Sequence, residues 1–474
     1  MSEENKPLPE EATSPETSEA RQRSEARRKL ILEGNLMKVI FVIAMPQVVT
    51  MLIDSFYNIA DTFFVSRIGD AAIAAVGVND SLMMIIRAVS IGFGMGSSGI
   101  ISRSLGAKKD EFASRVAVTT WFTAAATLTV VATVGSIFLL PLVNMLGATD
   151  TVRPYSMQYA RWILLSAPIT ATTVCLSQIL RSEGNTVFSM IGSVSGCLVN
   201  IVLDPILISF MGLGVAGAAI ATDISKVISM IILLSPFLRR KCIIVLKPSY
   251  FTPKKEIYAE LGKMGAPVMM RSCMMSFATI LTNNIAAGFG DVALAALSVA
   301  NKSLRLVASA IMGFGHGFQP IAGYCVGAKN YARALKAFKY TTIIGSLIGL
   351  ATGGVLALFA KQVIQIFSKN EALLELGLIF IRTQSAVLVP HVWGMIVSGF
   401  FMALGQPVRA GVMGLSRQLI ALIPSVLILS WLFGEVGLAC AQAASDVITF
   451  ILALILVIPV IRRLQAMQKE QAAQ

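Results

Sequence analysis

One stretch of this chain is written twice. Gly92-Phe93-Gly94, Gly96 and Gly106-Ala107-Lys108 return 221 positions later as Gly313-Phe314-Gly315, Gly317 and Gly327-Ala328-Lys329. The same offset carries Pro46 onto Pro267, Gly69-Asp70 onto Gly290-Asp291 and Gly184 onto Gly405, so the duplication spans most of each half. A repeat of this length confines the fold to one module used twice, with whatever lies between the copies shared by both.

The solvent for that fold is a bilayer. Of 474 residues, 55% are hydrophobic and 14% charged, against about 25% charged in soluble domains, and the mean hydropathy is +0.74. A bilayer core needs about 20 apolar residues per helix. On that measure twelve spans are predicted, near 38–65, 71–102, 116–140, 156–180, 187–210, 214–237, 259–288, 292–325, 340–360, 375–403, 408–432 and 436–461. The expected fold is therefore an all-α polytopic membrane protein with two pseudo-symmetric six-helix lobes. Six spans per half is an even number, so both copies enter from the same side as parallel repeats, the arrangement of secondary transporters whose site lies between two moving halves.

The net charge of +13 would point to nucleic acid in a soluble protein, but here its placement decides. With the amino terminus inside, seventeen Lys and Arg fall in inner loops, among them Lys108, Arg239 and Lys329, and five in outer loops: Arg67, Arg153, Arg161, Lys361 and Lys369. This positive-inside bias predicts cytoplasmic termini in the plasma membrane, the inner membrane of a Gram-negative cell. Contact with anionic lipid follows from the excess, and no nucleic-acid partner is expected. The boundaries expected are a disordered cytoplasmic tail 1–34, a first lobe 35–238, a basic linker 239–257 containing Pro248 and Pro253, a second lobe 258–462 and a tail 463–474. No cleavable signal peptide is recognisable in the polar first thirty residues. The six cysteines are scattered without a CxxC and read as packing residues. Prolines inside spans, including Pro46, Pro267 and Pro390, are expected to bend them.

Charged groups inside spans are costly and mark function by default. Asp54, Tyr57 and Asp61 in the first span are spaced i, i+3, i+7 and share one helical stripe. Asn200 and Asp204 in the fifth are at i, i+4, and Thr222 in the sixth adds a hydroxyl. If these three helices face a common cavity, the result is an oxygen-rich cluster able to hold H⁺, or Na⁺ at Asp61 and Asp204. The alternative is structural: Asp61 or Asp204 paired with a buried cation, Lys226 or Arg87 being available, and Asp54 closer to a membrane face. The second half is cationic where the first is acidic, with Arg271, Lys302, Arg305 and Arg417 in spans. His316 and His391 lack a metal-ligand partner at useful spacing and read as hydrogen-bonded packing. The Met264 to Met275 stretch reads as packing, or as the lining of an adaptable pocket.

Four runs carry a family likeness. They are Tyr57-Asn58-Ile59-Ala60-Asp61 followed by Gly69, Ile179-Leu180-Arg181-Ser182-Glu183-Gly184, Asn200-Ile201-Val202-Leu203-Asp204-Pro205, and the run from Gly212 to Thr222. Together they resemble the multidrug and toxic compound extrusion (MATE) family over residues 35–462. The resemblance implies a V-shaped two-lobe antiporter, with no cofactor, exporting amphipathic and often cationic compounds against inward H⁺ or Na⁺. It also implies coupling-ion binding at Tyr57, Asp61, Asn200, Asp204 and Thr222, with Asp54 an additional candidate, and a monomer is expected. Some relatives use further acids in the seventh and tenth spans; this chain has none there, around Met274 and Met275 or from Val392 to Phe400. A lipid-linked precursor flippase of related architecture is the second reading, and it would favour a strongly cationic cavity. No catalytic motif indicates an enzyme.

Overall fold

A computed structural model describes residues 15–66, 68, 70–147, 149–367 and 370–473. Arg67, Gly69 and Lys369, and the first fourteen residues of the expected tail, lie outside the described residues. In an apolar layer every backbone N–H and C=O must be satisfied within the chain, which leaves helices as the economical solution for single segments. The first half runs α1 (Pro15–Glu33), α2 (Leu36–Ser66), α3 (Asp70–Gly106), α4 (Asp110–Ile137), a short α5 (Leu139–Met145), α6 (Arg153–Ser182), α7 (Thr186–Pro205) and α8 (Gly214–Leu238). The second runs α9 (Lys255–Phe289), α10 (Asp291–Gly327), α11 (Tyr331–Leu358), a short α12 (Ala360–Phe367), α13 (Glu371–Ala386), α14 (Leu388–Ala403), α15 (Pro407–Leu415) and α16 (Ile423–Ala473).

The duplication is structural as well as textual. Helices α3 and α10, and α4 and α11, begin and end at positions 221 apart. Lys108 and Lys329 both take positive φ, 60° and 56°, and so do Gly184 and Gly405, at 82° and 70°. Ten stretches are long and apolar enough to cross a membrane, and the pair α13 and α14, bent by 48°, makes one more. The 65-residue stretch Pro407–Gln471 is two spans, because the backbone leaves the helix at Gly434 (φ 59°, ψ −135°). Ser445 Oγ donates to Arg417 O at 2.8 Å, so the two limbs lie side by side. Twelve spans, six in each half, follow among the described residues.

Three expectations are corrected. Residues 15–33 are helical, not disordered: α1 docks through Ile31, which has no exposed surface, and through Arg27 and Arg28. The tail 463–474 continues α16 as far as Ala473, and the second lobe begins at Lys255, inside the expected linker. Of the prolines, Pro390 follows the 48° break; its ring excludes the carbonyl four residues earlier, at Ala386, where α13 ends, whereas α2 and α9 remain continuous through Pro46 and Pro267.

The lobes meet where α2 packs on α10, α3 on α9 and α3 on α10. Lipid gives little hydrophobic drive between helices, so small residues that allow close approach set such contacts. A Cβ on Gly92 would lie 2.2 Å from Met269 Cγ, and one on Gly313 2.6 Å from Val48 Cα. Likewise a Cβ on Gly96 would lie 3.0 Å from Gly265 Cα, and one on Gly317 2.4 Å from Ala44 Cα. Each pair is the other displaced by the repeat offset, so the junction is pseudo-two-fold.

The junction is tightest on the side that carries the linker. Tyr324 Oη donates to Glu183 O at 3.1 Å, and Arg103 donates to Met402 O at 3.1 Å and pairs with Glu260 at 3.0 Å. Helix α1 straps across: Arg27 pairs with Glu183 at 2.9 Å and Arg28 with Asp110 at 2.5 Å. Arg333 of the second lobe donates to Ile31 O and Gly34 O at 2.8 and 2.6 Å. Glu183 also accepts from the linker N–H of Ile243 at 2.9 Å. On the opposite side Asp80, Arg87, Asn301, Lys302 and Arg305 are all exposed. Charged residues exposed within spans must border water, so the lobes enclose a cleft open on that side.

Two outcomes are expected. Gly317→Val should destabilise the junction by on the order of 1–3 kcal/mol through overpacking, read as a lowered Tm of the purified protein. Gly288→Val, whose Cβ would meet nothing within 4 Å, is the control. Burial holds the Glu183 carboxyl above its ordinary 4.5, opposed by Arg27 and the linker N–H groups. A raised folded value means the folded state keeps the proton longer than the unfolded chain, so stability falls as pH rises through the window above 4.5. Glu183→Gln should flatten that part of a Tm-against-pH curve.

Candidate functional site

The five residues singled out in the first lobe come from three helices that pack on one another: α2 on α7, α7 on α8 and α2 on α8. Asn200 and Asp204 occupy one face of α7 and are 1% and 0% exposed, and Thr222 on α8 is 7% exposed. With its amide oriented to satisfy both neighbours, Asn200 donates to Asp204 Oδ2 at 3.0 Å and accepts from the Thr222 backbone N–H at 3.1 Å. Asn200 is thus a spacer that fixes the Asp204 carboxylate against α8. Thr222 Oγ1 donates to Ala218 O at 3.0 Å, leaving its lone pairs toward the cluster.

Helix α2 brings the other half of the site. Asp61 lies close enough to Asp204 for their charges to interact, and Tyr57, one turn earlier, lies against Thr222 and within electrostatic reach of both acids. Asp61 Oδ1 and Asp204 Oδ1 are both buried with no hydrogen-bond partner among the described residues. Two carboxylates sharing a low-dielectric site repel unless a cation or proton sits between them, and each here keeps an unused acceptor. Two acids with the neutral oxygens of Asn200, Thr222 and Tyr57 make a donor set suited to H⁺ or to a hard monovalent cation. No group of three or more His, Cys, Asp or Glu that could hold a metal occurs among the described residues.

The structural alternative is not what the geometry displays. Among the described residues no ion pair within 4 Å joins Asp61 or Asp204 to Lys226 or Arg87. Lys226 answers instead to Asp223, one turn away on α8. Asp54 stands apart from the cluster: it faces Cys197, seven residues from Asp61 and about 10 Å nearer the linker side at about 1.5 Å per residue.

Sequence reading missed two contributors, Tyr159 and Asp80; Arg87 is foreseen there only as a cation available to pair with an acid. Tyr159 of α6, 2% exposed, is in electrostatic reach of Tyr57, Asp61, Asp80 and Asp204; nothing in its own span flags it, since its neighbours lie on other helices. Asp80 and Arg87 of α3 border the same region, and the Arg87 charge acts on Asp61 and Asp80 alike. Their i, i+7 spacing on one stripe is a signal the sequence held.

The second lobe is built differently. Asp446, 1% exposed, accepts from Arg417 Nε at 2.6 Å and Gln384 Nε2 at 2.9 Å, and lies 3.1 Å from His391 Nδ1. Gln384 and His391 flank the break between α13 and α14, so this carboxylate ties both arms of the bent span to α16. His391 is a hydrogen-bonded packing residue, as expected. His316 is not: its Nδ1 has no partner among the described residues.

Comparison with known proteins places this architecture. The MatE family model matches residues 46–206 and again 267–427, the same module at the same offset. The chain belongs to the MATE family. Among its relatives, the multidrug export protein MepA of Staphylococcus saprophyticus is 27% identical over 430 residues, covering 90% of this chain and 94% of that one. MepA of Staphylococcus aureus is 26% identical over 426 residues, covering 89% and 93%. A solved outward-facing multidrug resistance MATE transporter of the MOP superfamily superposes with a TM-score of 0.84 at 27% identity, over 93% of this chain and 98% of that one. A MATE structure in the bent conformation gives 0.85, also at 27% identity, over 95% and 99%. The chain is thus a multi-pass MATE membrane transporter in two six-helix lobes, and its cleft is open on one side.

The two lobes' acids separate by experiment. Asp446→Asn leaves Arg417 without its counter-charge and should cost on the order of 3 kcal/mol, a large drop in Tm followed by tryptophan fluorescence. Asp204→Asn exchanges an acceptor that has one hydrogen bond and should stay within about 1 kcal/mol of wild type.

Proposed function

We propose that this protein exports amphipathic, often cationic compounds in exchange for H⁺ or Na⁺, with Asp61 and Asp204 as the carriers of the coupling ion. The observation behind this reading is the meeting of two carboxylates with unused oxygens in the first lobe, beside a cleft that admits water. Multidrug export is what the MepA relatives are named for, and an extended similarity over 89–90% of this chain supports the same class of cargo here.

In this reading the linker side is the cytoplasm, in line with the seventeen-to-five charge bias, and both termini lie there. The structure then corresponds to the outward-open half of the cycle. The cation or proton enters from outside, neutralises repulsion between Asp61 and Asp204, and draws α2 against α7 and α8. Asn200 holds Asp204 in place, while Tyr57 and Thr222 supply the neutral oxygens that complete the shell. Substrate, bound less well in that state, leaves outward. Coupling needs no more than differential affinity between two conformations. A 100-fold concentration ratio requires about 2.7 kcal/mol, and one charge crossing 100 mV supplies about 2.3 kcal/mol, so one or two ions are enough.

The test is dye efflux in everted vesicles under an imposed pH or Na⁺ gradient. Asp61→Asn and Asp204→Asn should each abolish gradient-driven transport while leaving the protein in the membrane at wild-type level. Asp54→Asn, away from the cluster, should retain most of it. Full gradient-driven efflux in both cluster variants would remove these acids from the mechanism, and the gradient that drives the wild type identifies the ion.

A further inference from the structure

A small cavity lies in the second lobe, and the charge in its lining is the reverse of that of the acid cluster in the first. It has a volume of about 50 Å³ and is walled by α9, α10, α14 and α15 with Met95 of α3 closing it from the first lobe. Its polar lining is Arg271, His316, Gln319 and Ser398. No acid lines it. The nearest buried carboxylate on this side, Asp446, is already occupied by Arg417, Gln384 and His391.

Three observations leave the cavity with a cation and unpartnered polar groups but no acid. Arg271 has no hydrogen bond or ion pair within 4 Å among the described residues, although a guanidinium inside a span is expensive without a partner. His316 Nδ1 and Gln319 Nε2 are buried and without partners. His316 also lies between two guanidiniums, Arg271 of its own lobe and Arg181 from the end of α6, and Arg181 Nε is itself buried without a partner. Buried polar groups that lack partners cost on the order of 1–3 kcal/mol each, and those of His316 and Gln319 line one space together with Arg271.

We propose that Arg271, His316 and Gln319 form a binding site for one small anion, a halide or a compact carboxylate. The size argues for this occupant: the cavity holds on the order of one to a few water-sized groups, whereas drug-sized ligands need about 300 Å³ or more. The anion accepts from the guanidinium of Arg271, from the His316 imidazole in its Nδ1–H tautomer and from the Gln319 amide, and it offsets the positive field that Arg181 and Arg417 add. Because Met95 reaches the cavity only with the lobes joined on the linker side, the bound anion favours the closed junction seen here.

The experiment is equilibrium binding of radiolabelled chloride to the full-length protein in nanodiscs, at constant ionic strength balanced with gluconate. Saturable binding displaced by bromide is expected, weakened roughly tenfold or more in Arg271→Gln, as loss of a hydrogen bond from a charged donor implies, and unchanged in Lys302→Gln on the exposed cleft wall. Displacement by formate assigns carboxylate chemistry to the site, and displacement by bromide alone assigns halides. If Arg271→Gln does not fold, Gln319→Leu and His316→Leu each remove one donor and should weaken binding, while wild-type Tm should rise with chloride and not with gluconate. Absence of saturable chloride binding in the wild type, or wild-type affinity in a folded Arg271→Gln or in both leucine variants, overturns the proposal.

Discussion

The close approach of helices at four glycine positions governs this molecule. In lipid, helices gain little from burying apolar side chains against each other, and close packing takes over. Gly92 and Gly96 admit α9, and Gly313 and Gly317 admit α2; a Cβ at any of the four would lie 3.0 Å or less from an atom of the other lobe. Since each contact is the repeat image of another, the lobes are held symmetrically about a single axis. The contact is closest on the linker side of α2, α3, α9 and α10 and continues past their middles through Ser55 with Ser309 and Ser276 with Met84, each at 2.7 Å, and the same helices also expose Asp80, Arg87, Lys302 and Arg305. A close crossing at one end and charge at the other leaves a V whose mouth is wet.

Symmetry of the scaffold makes the asymmetry of its charges informative. Where the first lobe has Tyr57, Asp61, Asn200 and Asp204, the repeat-equivalent positions of the second are Ala278, Thr282, Ala421 and Ser425. Where the second has Arg417, the first has Gly196, which only packs: a Cβ there would lie 3.0 Å from Ser229 Cβ. One copy therefore carries acids with spare acceptors, and the other carries an acid with every oxygen engaged. A saturated buried ion cluster is costly to disturb. An unsaturated one responds to a small change in occupancy, which is what a coupling site requires.

Much of this was legible in the sequence because membrane helices obey strict periodicities. Asn200 with Asp204 at i, i+4, and Tyr57 with Asp61 at the same spacing, had to share faces, and the repeat offset anticipated the ends of α3, α4, α10 and α11. The turn at Gly434 falls between two of the expected spans, even though the helices on either side run together. What could not be read depends on partners distant in the chain. Helix α1 is polar enough to pass for a disordered tail, and its docking rests on Glu183, a residue 156 positions from Arg27. Tyr159 looks like any tyrosine in an apolar span until α2 and α7 are placed around it. His316 was read as a satisfied packing residue because nothing in its own helix shows that the surrounding walls offer it no acceptor.

Helix α2 joins the two constraints. Its first turns carry Ala44 and Val48, which lie against Gly317 and Gly313 at the lobe junction, and its later turns carry Tyr57 and Asp61 beside α7 and α8. It runs unbroken from Leu36 to Ser66, so a change in how tightly Asp61 is drawn toward Asp204 tilts a rod whose other end is wedged against α10. Close-packed glycine contacts tolerate sub-ångström shifts poorly and switch between discrete arrangements more readily than they deform. A cation-sized change at one end of α2 is therefore delivered to the junction as a choice between keeping and losing the Gly313 and Gly317 contacts. On that geometry the lobes need no other mechanical link to follow the occupancy of the acid pair.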